Sequence, residues 1–376
     1  MAEAGTPPGG GPVFLSEQAL ERRLFELLSD VGAGRAPRER PIDDDFARLL
    51  RGCGLTVLAG RMGLRHASFA EAERLLFVRT SAVEQVSGWC VEVLAAAGVR
   101  CTTLKGPALA VQLYGDDVTR PSTDVDVLVG RHEFERALGV LRAAGLRFGT
   151  RHAAWYERGW HHHLVAVGAP AHPGLPIEVH WSFARPGLIA GSLEGLLDDA
   201  VPVSCSGRPL PAPGLEWQLV ISAVHSAQHY FPPRQVLDVA LIAGRLDSRQ
   251  WGKVVALCRE LAVGPAVYYA TTVAARRLGL SCPVAVEELR PAVWRDALTA
   301  RAIARLPVVA PPSRALMQAM KAVMPLVITT SPRLPVALAY QLTDRPRLAD
   351  ALSGHHASRP RSRPSSRPGS RPGSRS

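Results

Sequence analysis

Residues Thr103–Gly130, TLKGPALAVQLYGDDVTRPSTDVDVLVG, decide how this chain reads. The stretch closes on an apolar run, Asp124–Val129, that has the composition of a short strand. Side chains at i and i+2 of a strand share a face. Asp124 and Asp126 therefore point one way, and Val125 and Val127 pack on the other. Two like charges held that close repel unless a cation or a proton lies between them. Magnesium is the natural partner of such a pair when phosphate is also present. Just upstream, Cys101–Leu104 reads as a strand and Pro107–Tyr114 as a helix, with Lys105 and Gly106 in the turn between them. Proline at a first helical position sacrifices no hydrogen bond. Glycine lets backbone approach a ligand closely. A helix N-terminus presents N–H groups and positive potential, which suit a triphosphate, and Lys105 adds a cation.

Further along, Pro176-Ile-Glu-Val-His-Trp181 repeats the alternation. Glu178 and His180 share one face of a strand Ile177–Trp181, and Ile177, Val179 and Trp181 take the other. Three carboxylates around two divalent ions support in-line nucleotidyl transfer. An aspartate pair alone is also a common surface feature; the Lys-Gly turn before it and the Glu-Val-His-Trp run after it favour a site. Glu178 has apolar neighbours, so its face is a cleft or an interior, where a lone charge needs a partner. His180 either touches substrate or hydrogen-bonds a carboxylate. His161, His162 and His163 resemble a metal cluster. Successive residues of the expected strand His163–Val167 and its approach alternate faces, so the three are read as one or two hydrogen-bonded histidines near the site. His225 and His229 have zinc spacing, i and i+4, but Ser226 stands where a metalloprotease helix carries glutamate. They are read as a packing network with Asp238, which alternatively lines the nucleotide cleft. Lys105 is a phosphate contact or a solvated turn residue. Arg120 is a phosphate contact or a brace for the loop before the aspartates. Trp155, Tyr156 and Trp160 are read as packing aromatics at the cleft border, with base stacking as the alternative.

Around this centre the chain reads as α+β: a small mixed β-sheet core flanked by helices, with a mostly helical C-terminal region. The expected organisation is a leader at 1–14, an N-terminal helical region at 15–98, the α/β core at 99–213, a helical region at 214–352 and an Arg/Ser/Pro-rich tail at 353–376. Leu15–Asp30, Phe69–Ala97 and His132–Ala144 carry helical spacing. Of 376 residues, 47% are hydrophobic and 20% charged, the balance of a folded protein rather than a disordered one. No two of the six cysteines form a CxxC pair, which argues against a zinc knuckle. The leader lacks the apolar run of a signal peptide. Met317–Leu342 is interrupted by Lys321, Arg333 and prolines, so no membrane span is expected. A reducing cytoplasm fits these features. The formal net charge is +11, and the six arginines of the tail supply more than half of it. The tail is expected to be disordered and solvated, with weak nucleic-acid contact as the alternative.

The string Leu104-Lys-Gly106, Tyr114, Arg120 and Asp124-Val-Asp-Val-Leu-Val129, followed by an acid on a later strand, resembles the DNA polymerase β-like nucleotidyltransferase superfamily. With His162-His163 and Glu178-Val-His-Trp181 it looks like a poorly characterised bacterial branch of it. His225-x-x-x-His229 and Asp238 resemble that branch's helical region. The resemblance implies that Asp124 and Asp126 bind both of two magnesium ions. Glu178 would complete the metal site and help activate the acceptor hydroxyl. Gly106 and its helix would hold the triphosphate, with Lys105, Arg120 and His180 as further nucleotide contacts. It implies an enzyme moving a nucleotidyl group from a nucleoside triphosphate such as ATP to a hydroxyl or amine of a small molecule, peptide or RNA, with release of pyrophosphate. Pro107 follows Gly106 where most of the superfamily has serine or glycine. Two other readings compete: a toxin-like transferase modifying tRNA or protein, supported by the basic tail, and a non-catalytic nucleotide-binding interaction module, against which the intact Asp124, Asp126 and Glu178 argue.

Overall fold

Three helices, α1 (Glu17–Gly32), α2 (Asp44–Gly52) and α3 (Thr56–Arg61), precede the 28-residue helix α4 (Phe69–Ala96) in the computed structural model. The structure describes residues 16–36, 40–149, 161–304, 320 and 323–343. The expected leader and tail, and Trp155, Tyr156 and Trp160, lie outside the described residues. After α4 come five strands, β1 (Cys101–Thr103), β2 (Val125–Val129), β3 (Arg147–Phe148), β4 (His163–Val167) and β5 (Ile177–His180), in one mixed sheet of order β1-β2-β5-β4-β3. Strands β2 and β5 run parallel, and the other neighbours are antiparallel. A parallel pair needs a long crossover, which residues 130–176 provide.

The alternation read from sequence now has a physical cause on each face. Val125, Val127, Val129, Ile177 and Val179 are buried in one cluster with Val83, Val86, Cys90 and Leu94 of α4 and with Phe134, Ala137, Leu138 and Leu141 of the single helix that follows β2. Full burial of each such side chain contributes about 1.5–3 kcal/mol, so a register slip would expose the whole set. Leu128, on the opposite face, joins a second core made by the C-terminal helices. The same second core takes Leu24, Leu27, Leu28, Phe46 and Leu50 of α1 and α2. The N-terminal helices are thus shared between two cores, α4 beneath the sheet and α1 to α3 above it.

Helix α5 (Gly106–Tyr114) follows β1, with Pro107 in its first turn, and ends on Gly115 in the left-handed region. It starts one residue before the expected Pro107. The expected helix His132–Ala144 divides into a 3-10 turn at Arg131–Glu133 and helix α6 (Phe134–Ala143). Asp124 precedes β2 rather than opening it, and Trp181 follows β5. A short helix α7 (Glu194–Asp198) leads into a hairpin, β6 (Val201–Cys205) and β7 (Arg208–Ala212), to which the sequence reading gave no strands. Its two-residue loop, Ser206-Gly207, has φ of 44° and 83°, the doubly positive geometry that suits the twist of a hairpin. The Thr102 and Thr103 hydroxyls donate to the Pro211 carbonyl at 3.1 and 2.8 Å, which docks the hairpin beside β1.

Helices α8 (Leu215–Gln228), α9 (Pro233–Ala243), α10 (Ser248–Glu260), α11 (Gly264–Leu278), α12 (Val293–Ala304) and α13 (Leu334–Thr343) follow, and α8 and α9 bring His225, Gln228 and Arg234 to the carboxylate face. Helix α10 opens with a capping box between Asp247 and Gln250. Among the described residues no helix is long and apolar enough to cross a membrane.

The layers are joined by a buried ion pair. Arg120 Nε donates to Asp238 Oδ2 on α9 at 2.9 Å, with the two side chains 6% and 2% exposed. The Tyr114 hydroxyl donates to the other carboxylate oxygen at 3.3 Å. Deleting one partner strands a buried charge, which costs roughly 3–5 kcal/mol. Asp238→Ala is therefore expected to lower unfolding stability by about that amount in a urea titration. Asp238→Asn, which keeps a hydrogen-bonding oxygen, should lose less.

Candidate active site

The parallel register sets the centre of the site. Asp126 of β2 lies directly opposite Glu178 of β5, and Leu128 opposite His180. Because the valines hold one face down, Asp126, Glu178 and His180 rise together from the other. Asp124 stands one step before the strand on the same side. The turn at Lys105 and Gly106 faces them, and all seven sequence candidates (Lys105, Gly106, Arg120, Asp124, Asp126, Glu178 and His180) line one cavity of about 370 Å³.

His180 is the hinge of the electrostatics. Its Nε2 donates to Asp126 Oδ1 at 2.8 Å and lies 3.3 Å from Glu178 Oε2. Its Nδ1 donates to the Ser182 carbonyl at 3.2 Å. A carbonyl and a carboxylate both only accept, so both ring nitrogens carry protons and the imidazole is a cation. Burial opposes that charge, but the hydrogen bonds to Asp126 and Glu178 outweigh it and push the group up to about 9. Burial also opposes ionisation of Asp126, yet Lys105 and His180 hold its carboxyl well below the usual range. Glu178 is lowered against its own burial by His180 and His163. Asp124 goes the other way, raised by burial and then by the charges of Asp126 and Glu178. Of the three side chains in the central cluster, Glu178 is 26% exposed, Asp126 8% and His180 4%. Glu178 is the one that an incoming group meets.

The histidines are arranged differently from the alternation expected for them. His162 and His163 both line the cavity, and the ligating atoms of His162, His163 and His180 lie within 4.8 Å of one another. His162 occupies the bend before β4, where the backbone is not held to strand alternation. His225 and His229 also line the cavity, their rings 4.3 Å apart, and burial followed by Lys105 holds both below the ordinary histidine range. Asp238, expected beside them, is bound to Arg120 and Tyr114 instead. That pairing occupies Arg120 Nε as a brace between the loop and α9.

Among the further residues that line the cavity and that no sequence motif singled out are Ser122, Thr123, Arg185, Gln228 and Arg234. Arg234 carried a usable signal. It sits in the first turn of α9, after Pro232-Pro233, where the helix dipole disfavours a cation; its Nη1 donates to the Pro121 carbonyl at 3.0 Å. Ser122 came from no motif, yet its hydroxyl lies 3.9 Å from where a Cβ on Gly106 would stand.

Lys105 has φ 53° and ψ −123°, and Gly106 also has φ 53°. A lysine in the left-handed half of backbone space costs on the order of 1–3 kcal/mol and persists where its surroundings impose it. No side chain caps α5, which leaves the helix start facing the carboxylates. Lys105→Gly separates strain from charge. The melting temperature is expected to rise, and affinity for magnesium–nucleoside triphosphate to fall at least about tenfold, the equivalent of one lost charged contact.

The family described as uncharacterised nucleotidyltransferase matches residues 66–279, more than half of the chain. Among solved structures, the antibiotic-resistance factor ANT(2'')-Ia in solution is 15% identical, over 48% of this chain and 92% of that one, with a TM-score of 0.32. The crystal structure of ANT(2'')-Ia with adenylyl-2''-tobramycin is 14% identical over 47% and 94%, also with a TM-score of 0.32. An antigenic nucleotidyltransferase-like protein from Paracoccidioides brasiliensis is 12% identical over 53% and 94%, with a TM-score of 0.33. No curated protein matches the chain.

Proposed function

The chain belongs to the uncharacterised nucleotidyltransferase family, and from that premise we propose that Asp124, Asp126 and Glu178 direct transfer of a nucleotidyl group from a nucleoside triphosphate to a hydroxyl or amine acceptor. The observation that carries this reading is the pairing of Asp126 with Glu178 on parallel strands, opposite the Gly106 turn in one cavity.

The residues fit divalent metal. Their donors are carboxylate oxygens, the ligands magnesium prefers. The carboxyl of Asp124 is raised by burial and then by the charges of Asp126 and Glu178, and a bound cation relieves that repulsion. Asp124, Asp126 and Glu178 would hold the metal without His180, whose protons already serve Asp126 and Ser182. When bound, divalent metal supplies charge stabilisation for the attacking and leaving oxygens.

The chain's own groups divide the remaining work. The first turn of α5 and Lys105 hold the triphosphate, and Arg185 and Arg234 add positive charge to the surrounding wall. Ser122 returns to the Gly106 turn the hydroxyl that Pro107 displaces. Glu178, the most exposed member of the cluster, orients the acceptor and takes its proton. The acceptor oxygen or nitrogen forms a bond to the α-phosphorus, the bond from that phosphorus to the β-phosphate bridging oxygen breaks, and pyrophosphate leaves. His180 keeps Asp126 ionised and aimed, and so acts through it as a positioning residue.

The test is transfer of label from each of the four α-³²P nucleoside triphosphates to small-molecule, peptide and RNA fractions. A labelled conjugate with stoichiometric pyrophosphate is expected from one fraction. Asp126→Asn should slow it by about a thousandfold or more, equivalent to ~4 kcal/mol of barrier. Full transfer by a folded Asp126→Asn protein would overturn the assignment. Nucleotide binding with no pyrophosphate release across all fractions would favour a binding module.

A further inference from the structure

A second cavity, of about 610 Å³, adjoins the carboxylate cavity and shares His162 and Arg185 with it. Its size is that of a pocket for an organic molecule of moderate mass. It opens where β2 ends, at Val129, Gly130 and Arg131, and is closed on the far side by the loop after β5 and the start of α13. Gly187 fixes that closure. Its φ is +80°, and a Cβ there would stand 2.6 Å from the Ala337 nitrogen and 2.9 Å from the Arg333 carbonyl. Loop and helix are thus in backbone contact, and Arg333 is brought to the cavity wall.

The lining has two characters. Val129, Ile189, Leu193, Leu197 and Val336 make an apolar body. Arg131, Arg185 and Arg333 supply the charge. Arg131 is laid over the Trp181 ring, its guanidinium carbon 4.8 Å from the centroid, a contact that holds the group in place without neutralising it. Neither Arg131 nor Arg333 has a carboxylate partner among the described residues. The one acid of the lining among the described residues, Glu194, is already engaged: Arg100 bonds one oxygen at 2.8 Å, and His132 lies 3.2 Å from the other. Among the described residues the lining therefore carries an excess of positive charge against an apolar wall. Guanidinium groups in that setting select carboxylate, phosphate or sulfonate oxygens.

We propose that this second cavity is the acceptor chamber, and that its acceptor is an amphipathic organic anion, with an apolar body against the Val129–Leu197 wall and an anionic group on Arg131 and Arg333. The inference rests on the nucleotidyl-transfer reading of the adjoining carboxylates. The shared wall at His162 and Arg185 is what lets a nucleophile of such a molecule reach the donor, since transfer requires both reactants within contact of one another. The anionic end is held away from the triphosphate, where like charge would oppose it, and the nucleophile lies toward Glu178.

The test uses two fluorescent probes of nearly equal shape: 8-anilinonaphthalene-1-sulfonate, an apolar anion, and uncharged N-phenyl-1-naphthylamine. Each is titrated into the full-length wild type, Arg131→Gln/Arg333→Gln and Asp126→Asn, with and without magnesium and the α,β-methylene analogue of each of the four nucleoside triphosphates. Binding of the nucleotide itself is followed calorimetrically, and circular dichroism checks the fold of each variant. The sulfonate is expected to bind saturably and at least tenfold more tightly than the neutral probe. The arginine double variant should lose at least tenfold for the sulfonate alone and keep wild-type nucleotide affinity. Asp126→Asn should keep the sulfonate, and nucleotide should not displace it. Equal affinity for the two probes, indifference to the arginine substitutions, or displacement of the sulfonate by nucleotide overturns the chamber while leaving the carboxylate site intact. Failure of wild type to bind any magnesium–nucleotide instead removes the reading on which the chamber rests.

Discussion

Everything in the site depends on gathering carboxylates at the edge of an apolar core. Asp126 is mostly buried, Glu178 is its direct neighbour across a parallel pair, and Asp124 is one step away. Such a group is unstable on its own, because burial and mutual repulsion both favour protonation. The sheet tolerates it because cations converge on it. His180 donates as an imidazolium to Asp126 and to the Ser182 carbonyl, with Glu178 3.3 Å from the same Nε2, and Lys105 is carried to the same place by a backbone turn that lysine adopts only under constraint. The valines on the opposite face set the aim, since their burial fixes the register on which the Asp126–Glu178 pairing depends.

The surrounding architecture can be understood as support for that arrangement. Helix α4 holds the valine face from below. The C-terminal helices close the polar face from above and contribute His225, His229 and Arg234 to the cavity. Arg120, close enough to add positive potential, is tied to Asp238 on α9, so the loop that delivers Asp124 is anchored to the layer that covers it. Charge is thus distributed in three tiers: carboxylates and the His180 imidazolium on the sheet, Lys105 and Arg234 on the turn and helix that face them, and one neutralised ion pair between layers.

Much of this was legible in residues. Strand alternation put Asp124 with Asp126 and Glu178 with His180, and the Lys-Gly-Pro sequence marked the turn and the helix start. Sequence periodicity reports that a face is buried, but not against what, so the partition of the N-terminal helices between two cores was not visible. Nor was the neighbour relation of β2 and β5, which comes from a crossover of some length rather than from any local pattern. His162 and His163 line the cavity as two histidines near the site, although strict strand alternation would set them on opposite faces; His162 lies in the bend before β4. The hairpin at Val201–Ala212 hid its strands behind three prolines, although Ser206-Gly207 was a serviceable turn signal. Arg185 and Ser122 had no signal in the sequence at all; only the folding of two loops onto one cavity brings them to the carboxylates.

The most direct measurement of the central claim is calorimetric titration of the four nucleoside triphosphates, with magnesium and with chelator, into wild type and into a folded Asp124→Ala/Asp126→Ala protein. The account predicts saturable binding of at least one triphosphate that requires magnesium and disappears in the double variant. Binding that persists unchanged without the two aspartates, or no binding by the folded wild type, would contradict it.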